Sequence, residues 1–272
     1  MKIGCCAAKS QLTRQGGSFT TADITSRLSW YIDVGVDFLE LGVNWLAALE
    51  DRDLRSLVEA LTASPLSVPA CNLFLPGSMA IIGPNRDMAE IRRYLSHALA
   101  RVEQLACPCV VFGSGGVRRF PDDYPADLAW RELKEFCLAA ADEAARRRIT
   151  IALEPLRYKE CNVINSVATG YAYVDVIAHP HFRLLADTYH MEEIGEPLSV
   201  LTTIYPHLYH MHTADTGRVP PGQGNYPHAE LFSVLKKVGY DKNISIECRW
   251  QDFDKELPPA IAHLKKAYAS AT

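Results

Sequence analysis

Short apolar runs and longer amphipathic stretches alternate eight times along this chain, and no other property restricts its fold as strongly. The runs read KIGCCAA, VDFLELG, VPACNLFL, CVVFG, ITIALE, FRLLAD, LYHMH and ISIEC. Apolar runs of this length, each bounded by helical patterns, are expected of parallel strands covered by helices on the outside. The spacing predicts helices over 21–34, 51–63, 86–105, 126–147, 166–178, 195–204, 228–238 and 254–268. Thr20 and Thr21 can cap the first, acidic residues open the second, and Arg146, Arg147 and Arg148 suit the end of the fourth. Eight such units within 272 residues match a (β/α)8 barrel, an α/β fold, as one domain over 1–272. An open doubly wound sheet uses the same units. However, no G-x-G-x-x-G follows the first strand, and eight units favour closure.

Bulk properties narrow the partners. With 48% hydrophobic and 22% charged residues the composition is that of an ordinary globular protein. The formal charge of −4 supplies no overall attraction for nucleic acid or anionic membrane, so neither is expected as a partner. The apolar run at the N-terminus is too short for a signal peptide or a membrane span. The eight cysteines do not form a secreted framework; Cys5, Cys6, Cys71, Cys109 and Cys248 sit in apolar runs, and C-x-x-C does not occur. A reduced, cytoplasmic protein is expected.

In such a barrel the C-terminal strand ends share one mouth, where side chains distant in sequence can meet. Glu154, Asp187, His212 and Glu247 end the fifth to eighth strand runs, roughly 25–35 residues apart. Three carboxylates brought together resist ionisation unless a cation joins them. Oxygen ligands with one imidazole suit a single divalent ion, Mn²⁺ first, with Mg²⁺ and Co²⁺ as alternatives. Any one acid after a strand is ordinarily a helix cap or a surface charge. Four potential ligands at four successive strand ends are harder to dismiss.

Around this quartet, His190 follows Asp187 by three residues, while Glu160 follows Glu154 and Arg218 follows His212 by six each. On loops at the mouth these groups can bind substrate oxygens and stabilise a developing oxyanion. His210 can face the same interior side as His212 and is read as a supporting residue, whereas His207 should point to the barrel bottom and His179 and His181 to the surface. Gly113-Ser114-Gly115-Gly116, followed by Arg118 and Arg119, offers a backbone nest for an anion, but such loops more often only turn the chain. Pro220-Pro221-Gly222-Gln223-Gly224 reads as a rigid turn. Tyr158, Tyr189, Trp45, Phe74 and Trp250 are candidates for a sugar-binding wall, with core packing as the alternative for each.

Four stretches carry a family resemblance: E-P-L-R-Y-K-E-C-N-V-I-N (154–165), L-L-A-D-T-Y-H-M (184–191), H-M-H-T-A-D-T-G-R-V-P-P-G-Q-G (210–224) and I-S-I-E-C-R-W (244–250). The chain resembles the xylose-isomerase-like TIM-barrel superfamily, in particular its sugar phosphate isomerase/epimerase group with the tagatose and psicose 3-epimerases. Over the first 120 residues the likeness is little more than strand alternation and V-V-F-G-S-G-G (110–116). The resemblance implies that Glu154, Asp187, His212 and Glu247 bind the metal, with Glu154 and Glu247 also serving as catalytic acid and base on opposite faces of the reacting carbon. His190 and Arg218 match residues that hold substrate oxygens, and Glu160 matches the carboxylate that orients the reacting end. A homo-oligomer, dimer or tetramer, is implied as well. Many relatives read E-P-L-N-R at the fifth strand end, whereas this chain reads Glu154-Pro155-Leu156-Arg157-Tyr158-Lys159. The two cations are either solvated or recognise an acidic or glycosidic substituent.

The expected activity is a metal-dependent sugar isomerase or epimerase of the ketose 3-epimerase type, acting on a small sugar or sugar derivative through an enediolate. A carboxylate takes the proton alpha to the carbonyl and another returns it. The alternative is a lyase or dehydratase acting on a keto-sugar, keto-inositol or 3-keto-glycoside with the same groups. A DNA-repair endonuclease would need more histidines at the strand ends than this chain supplies. A non-catalytic sugar-binding barrel is the remaining alternative.

Overall fold

The computed structural model describes residues 1–14 and 17–272. Eight parallel strands close on themselves in chain order: β1 (Lys2–Ala7), β2 (Phe38–Gly42), β3 (Ser67–Asn72), β4 (Cys109–Phe112), β5 (Thr150–Leu153), β6 (Phe182–Asp187), β7 (Leu208–Thr213) and β8 (Asn243–Ile246). The β1–β8 pairing, from Lys2 opposite Asn243 to Cys5 opposite Ile246, completes the ring. The expected (β/α)8 TIM barrel is the fold found.

The helices are α1 (Thr21–Val34), α2 (Val43–Ala48), α3 (Asp51–Thr62), α4 (Met88–Gln104), α5 (Gly115–Arg118), α6 (Ala126–Ala145), α7 (Val167–Ile177), α8 (Thr188–Glu193), α9 (Val200–Ile204), α10 (His228–Lys237) and α11 (Phe253–Ser270). Local chemistry starts several of them. Thr20, Asp87, Ser166 and Asp252 accept a backbone N–H in the first turns of α1, α4, α7 and α11. Two expectations need correction. The predicted helix over 195–204 contracts to α9, because Gly195 is left-handed and Glu196 turns away to accept from the Val167 and Ala168 N–H groups. Besides the outer layer, the short helices α2, α5 and α8 occupy loops at the C-terminal strand ends, where only loop was expected.

Strand alternation divides the buried side chains. Outward-facing residues such as Leu41, Phe112, Leu153 and Ile246 join the helices in one large core. Inside the ring, Ala70, Cys109, Val111, Ala152 and Leu185 form a second, smaller cluster. Two register shifts matter for what reaches the mouth. Between β6 and β7 the pairing passes from Leu184 opposite Leu208 to Leu185 opposite His210, so β7 carries one extra residue, Tyr209. That bulge sets His210 beside Leu185 and His212 beside Asp187. A similar shift in β3 places Glu40 beside Ala70 and Gly42 beside Asn72.

Candidate metal centre

Glu154, Asp187, His212 and Glu247 meet at the C-terminal mouth. One ligand atom from each lies within 4.8 Å of all the others. Asp187 and His212 are the inward residues at the ends of β6 and β7. Glu154 and Glu247 extend the ladder by one residue each, donating backbone N–H bonds to Phe112 O (3.1 Å) and Thr213 O (3.0 Å). His212 Nδ1 lies 3.3 Å from Glu154 Oε1 and 3.4 Å from Glu247 Oε2, so the two carboxylates approach the same imidazole nitrogen. Asp187 Oδ1 accepts the Tyr189 N–H, while its Oδ2 is buried with no hydrogen-bond partner among the described residues.

The electrostatics are those of a crowded acid cluster. Burial, reinforced by Glu154 and Glu247, lifts the Asp187 carboxyl to about 6 although His190 opposes the rise. Burial also works against ionised Glu247, but His212 and Arg218 hold its pKa down to about 2. Burial would depress the His212 imidazole, yet Glu40 and then Glu247 raise it well above its usual value. Three acids around an imidazole therefore favour extra positive charge among them.

Glu40 is the residue that sequence reasoning missed. It is fully buried beneath the quartet, with Oε1 2.9 Å from His212 Nε2 and Oε2 2.8 Å from His210 Nε2. Ser245 Oγ donates to Glu40 Oε2 at 2.6 Å. Burial disfavours this carboxylate, but His212 and His210 hold its pKa well below the ordinary range. With Nε2–H of His212 committed to Glu40, Nδ1 is the nitrogen directed at the mouth, where a bound cation would take the place of its proton, as in carboxylate–histidine–metal arrangements. His210 is thereby placed in a supporting layer.

Two further features fix Glu154. The Arg118 side chain is wholly buried, donating to Glu154 O at 2.9 Å and Phe112 O at 3.3 Å, so it ties the ends of β4 and β5. The glycine-rich segment before it winds into α5 and spends this arginine internally, where an anion nest had been considered. At Gly113, a Cβ would stand 2.2 Å from Glu154 Oε2, so only glycine leaves room for this carboxylate.

A rim of alternating charge surrounds the quartet. Arg218 donates to Glu247 Oε2 at 2.7 Å and lies 3.5 Å from Glu160 Oε1. His190 Nε2 lies 3.6 Å from Asp187 Oδ2 and 4.0 Å from Glu160 Oε2. Arg218 has φ of 66°, a left-handed conformation rare for a residue with a side chain, as expected where surroundings hold a functional group in place. Arg157 is folded inward, bonding Glu160 at 2.9 Å and Glu193 at 2.6 Å, and both it and Arg218 lie over the Tyr189 ring. Its charge is thus used inside the rim, while Tyr158 is 70% exposed. Beside Glu247, toward β1 to β3, a cavity of about 250 Å³ is bordered by Cys6, Gln11, Trp45, Asn72 and Trp250. Asn72 donates to Glu247 Oε1 at 3.2 Å. Of the aromatics considered for a sugar wall, Phe74 is a core residue, packed edge-on against Phe112.

Residues 28–267 match the family described as the xylose isomerase-like TIM barrel. The chain belongs to that family. An L-ribulose 3-epimerase from Methylomonas sp. (strain DH-1) is 37% identical over 109 residues, covering 39% of this chain and 38% of the relative. The D-psicose 3-epimerase of Clostridium cellulolyticum H10 has a TM-score of 0.81 at 20% identity, covering 98% of this chain and 99% of the other. The 3-keto-D-glucoside 4-epimerase of E. coli gives 0.79 at 19% identity, with coverage of 98% and 99%. The matched sequence spans less than half the length of the first curated relatives, and at these identities the structural likeness speaks to the fold.

Proposed function

We propose that this protein is a divalent-metal-dependent sugar epimerase, acting at a carbon next to a carbonyl in the manner of the ketose 3-epimerases. The observation that carries this reading is the convergence of Glu154 and Glu247 on one imidazole nitrogen, with Asp187 completing a four-ligand cluster. The donor set fits a hard divalent cation: three carboxylates, one imidazole, and in Asp187 Oδ2 a buried oxygen with no partner among the described residues. Glu154, Asp187, His212 and Glu247 would hold the ion, Mn²⁺ first. Once bound, such an ion supplies Lewis-acid stabilisation of negative charge developing on substrate oxygens.

The chain's own groups do the rest. Glu154 and Glu247 are the acid–base pair: one carboxylate takes the proton alpha to the carbonyl and the other delivers a proton to the opposite face. Arg218, bonded to Glu247 and near Glu160, keeps that carboxylate ionised and presents N–H donors to substrate oxygens. His190 and Glu160 serve as further polar contacts for the substrate chain. Trp45 and Trp250 give the neighbouring cavity flat apolar walls that suit the carbon face of a sugar.

Similarity to proteins named as 3-epimerases and a 4-epimerase favours inversion over elimination. The test is incubation of the Mn²⁺-loaded protein in D₂O with D-psicose, L-ribulose and a 3-keto-glucoside. A product of unchanged carbon skeleton, carrying deuterium at the inverted carbon, supports the proposal. Release of water or an aglycone shows a lyase instead, and absence of exchange with every substrate refutes epimerisation of these substrate classes.

A further inference from the structure

Outside the catalytic mouth, a second group of metal-capable side chains lies where the β7–α10 loop meets α11. Asp215, His228 and His263 each offer a ligand atom within 4.8 Å of the other two. They come from three separate elements: the turn after β7, the first residue of α10, and the middle of α11. We propose that these three residues form a second, zinc-class cation site that fastens the loop bearing Arg218 to the C-terminal helix.

Three observations support it. His228 is 2% exposed, yet among the described residues neither ring nitrogen has a hydrogen-bond partner of ordinary geometry. The Ala214 carbonyl is the backbone group near its ring. A ring that turns one N–H toward a carbonyl leaves its other nitrogen as a lone-pair donor, the usual orientation of a ligating histidine. The Asp215 carboxylate is already oriented: Oδ1 accepts the Thr216 and Tyr226 N–H groups at 2.9 and 2.7 Å, Oδ2 accepts the Gly222 N–H at 2.7 Å, and the Gly224 N–H also favours the ionised form. One lone pair on Oδ2 is left over. The His263 ring packs near perpendicular to His228, with centroids 5.2 Å apart.

The loop is shaped to bring these groups together. Gly222 is left-handed at φ +92°, and a Cβ there would sit 3.0 Å from His263 Nδ1. Two imidazoles and one carboxylate suit Zn²⁺ or Co²⁺ far better than Mg²⁺. The two sites therefore differ in preference: oxygen-rich at the mouth, nitrogen-rich behind the loop. Asp215 also anchors Arg218, accepting its N–H through the backbone carbonyl at 2.9 Å, so a cation here would stiffen the rim of the mouth.

The test is metal content after loading metal-free full-length protein with Zn²⁺ and desalting, together with Co²⁺ titration followed by visible absorption. Wild type should retain two equivalents. His263→Asn and Asp187→Ala should each retain one, and the double variant none. His228→Gln, scored on the same assay after confirming its circular dichroism, should match His263→Asn. Mg²⁺ should leave the second site unfilled. In the Asp187→Ala background Zn²⁺ should raise Tm by about 3 °C or more, and the rise should vanish on adding His263→Asn. Retention by wild type of a single equivalent that Asp187→Ala abolishes, or of two by His263→Asn, overturns the proposal. Loss of the equivalent that depends on Asp187 alone would instead count against the metal centre at the mouth.

Discussion

Below the metal quartet, the barrel interior is apolar on the arc from β3 to β6, while the opposite arc carries buried polar side chains on β7, β8 and β2. On the first arc Ala70, Cys109, Val111, Ala152 and Leu185 interlock as a dry plug. On the second, Glu40, His210, His212 and Ser245 form a buried network in which every carboxylate oxygen is bonded. The apolar arc contributes stability through burial alone. The polar arc gives up that gain, because desolvating charges is unfavourable even when they are paired. What it provides in exchange is orientation: Glu40 dictates which nitrogen of His212 faces the mouth. The difference separates residues that hold the barrel closed from residues that aim its chemistry, and substitutions on the two arcs should fail in different ways.

The largest effect is expected at the mouth itself. Glu154→Gln and Glu247→Gln keep a ligand oxygen but remove proton transfer, so turnover should fall about 10³-fold, with metal retained. Solvent deuterium exchange into substrate separates the two roles. If one variant still exchanges the alpha proton without inverting the carbon, its partner is the base for that face. Unchanged turnover in both variants would exclude them as the acid–base pair.

Next comes Gly113→Ala. The added Cβ has nowhere to go, since it would overlap Glu154 Oε2 at 2.2 Å, and Arg118 prevents the β4 and β5 ends from parting. Displacing a reacting carboxylate by about 1 Å is worth up to about 10² in rate. Turnover should drop by that order, while the unfolding midpoint in urea moves little. A variant as active as wild type would show that Glu154 is not held where the structure places it.

The contrast between the arcs also explains what was legible in the sequence. Glu154, Asp187, His212 and Glu247 stood out because each ends an apolar run, where the strand pattern hands over to loop chemistry. Glu40 lies inside its run, in F-L-E-L-G, and its partners His210 and Ser245 are 170 and 205 residues away. A carboxylate flanked by leucines was a visible anomaly, but only ring closure shows what it meets. The same limit hid Arg118, whose guanidinium is spent on two strand-end carbonyls. Elements with strong periodicity, such as α1 and α6, matched their expected ranges within two residues. The 195–204 segment did not, because Glu196 is drawn off to cap α7, a tertiary demand that local spacing does not carry.

Glu40→Gln probes the polar arc directly. An amide can still face His212, but it no longer balances the imidazole or secures the tautomer, and metal affinity should weaken about 10–100-fold. The pH response should change with it. The folded-state pKa of Glu40 lies below its unfolded value of 4.5, so its contribution to stability is complete above about 4.5 and is lost as pH falls further. Urea unfolding of the metal-free protein from about pH 5 to about pH 3 should therefore show a shallower acid limb in the variant than in wild type. Equal slopes would mean that the network under His212 is not ionised as its geometry indicates.

Leu185→Ala is the counterpart on the dry arc and should have the smallest effect on the metal centre. Leu185 is fully buried in the interior plug two residues before Asp187, so its truncation leaves a cavity and should cost about 2–5 kcal/mol of stability. Yet β6 is pinned on both sides, by β5 through Leu153 opposite Leu184 and by β7 through Leu185 opposite His210. With the backbone fixed, Asp187 keeps its position and Mn²⁺ affinity should stay within about twofold of wild type. Side-by-side denaturation and metal titration decide the matter. If affinity falls in step with stability, the plug and the metal centre are one cooperative unit, and the division of the barrel into a holding arc and an aiming arc is wrong.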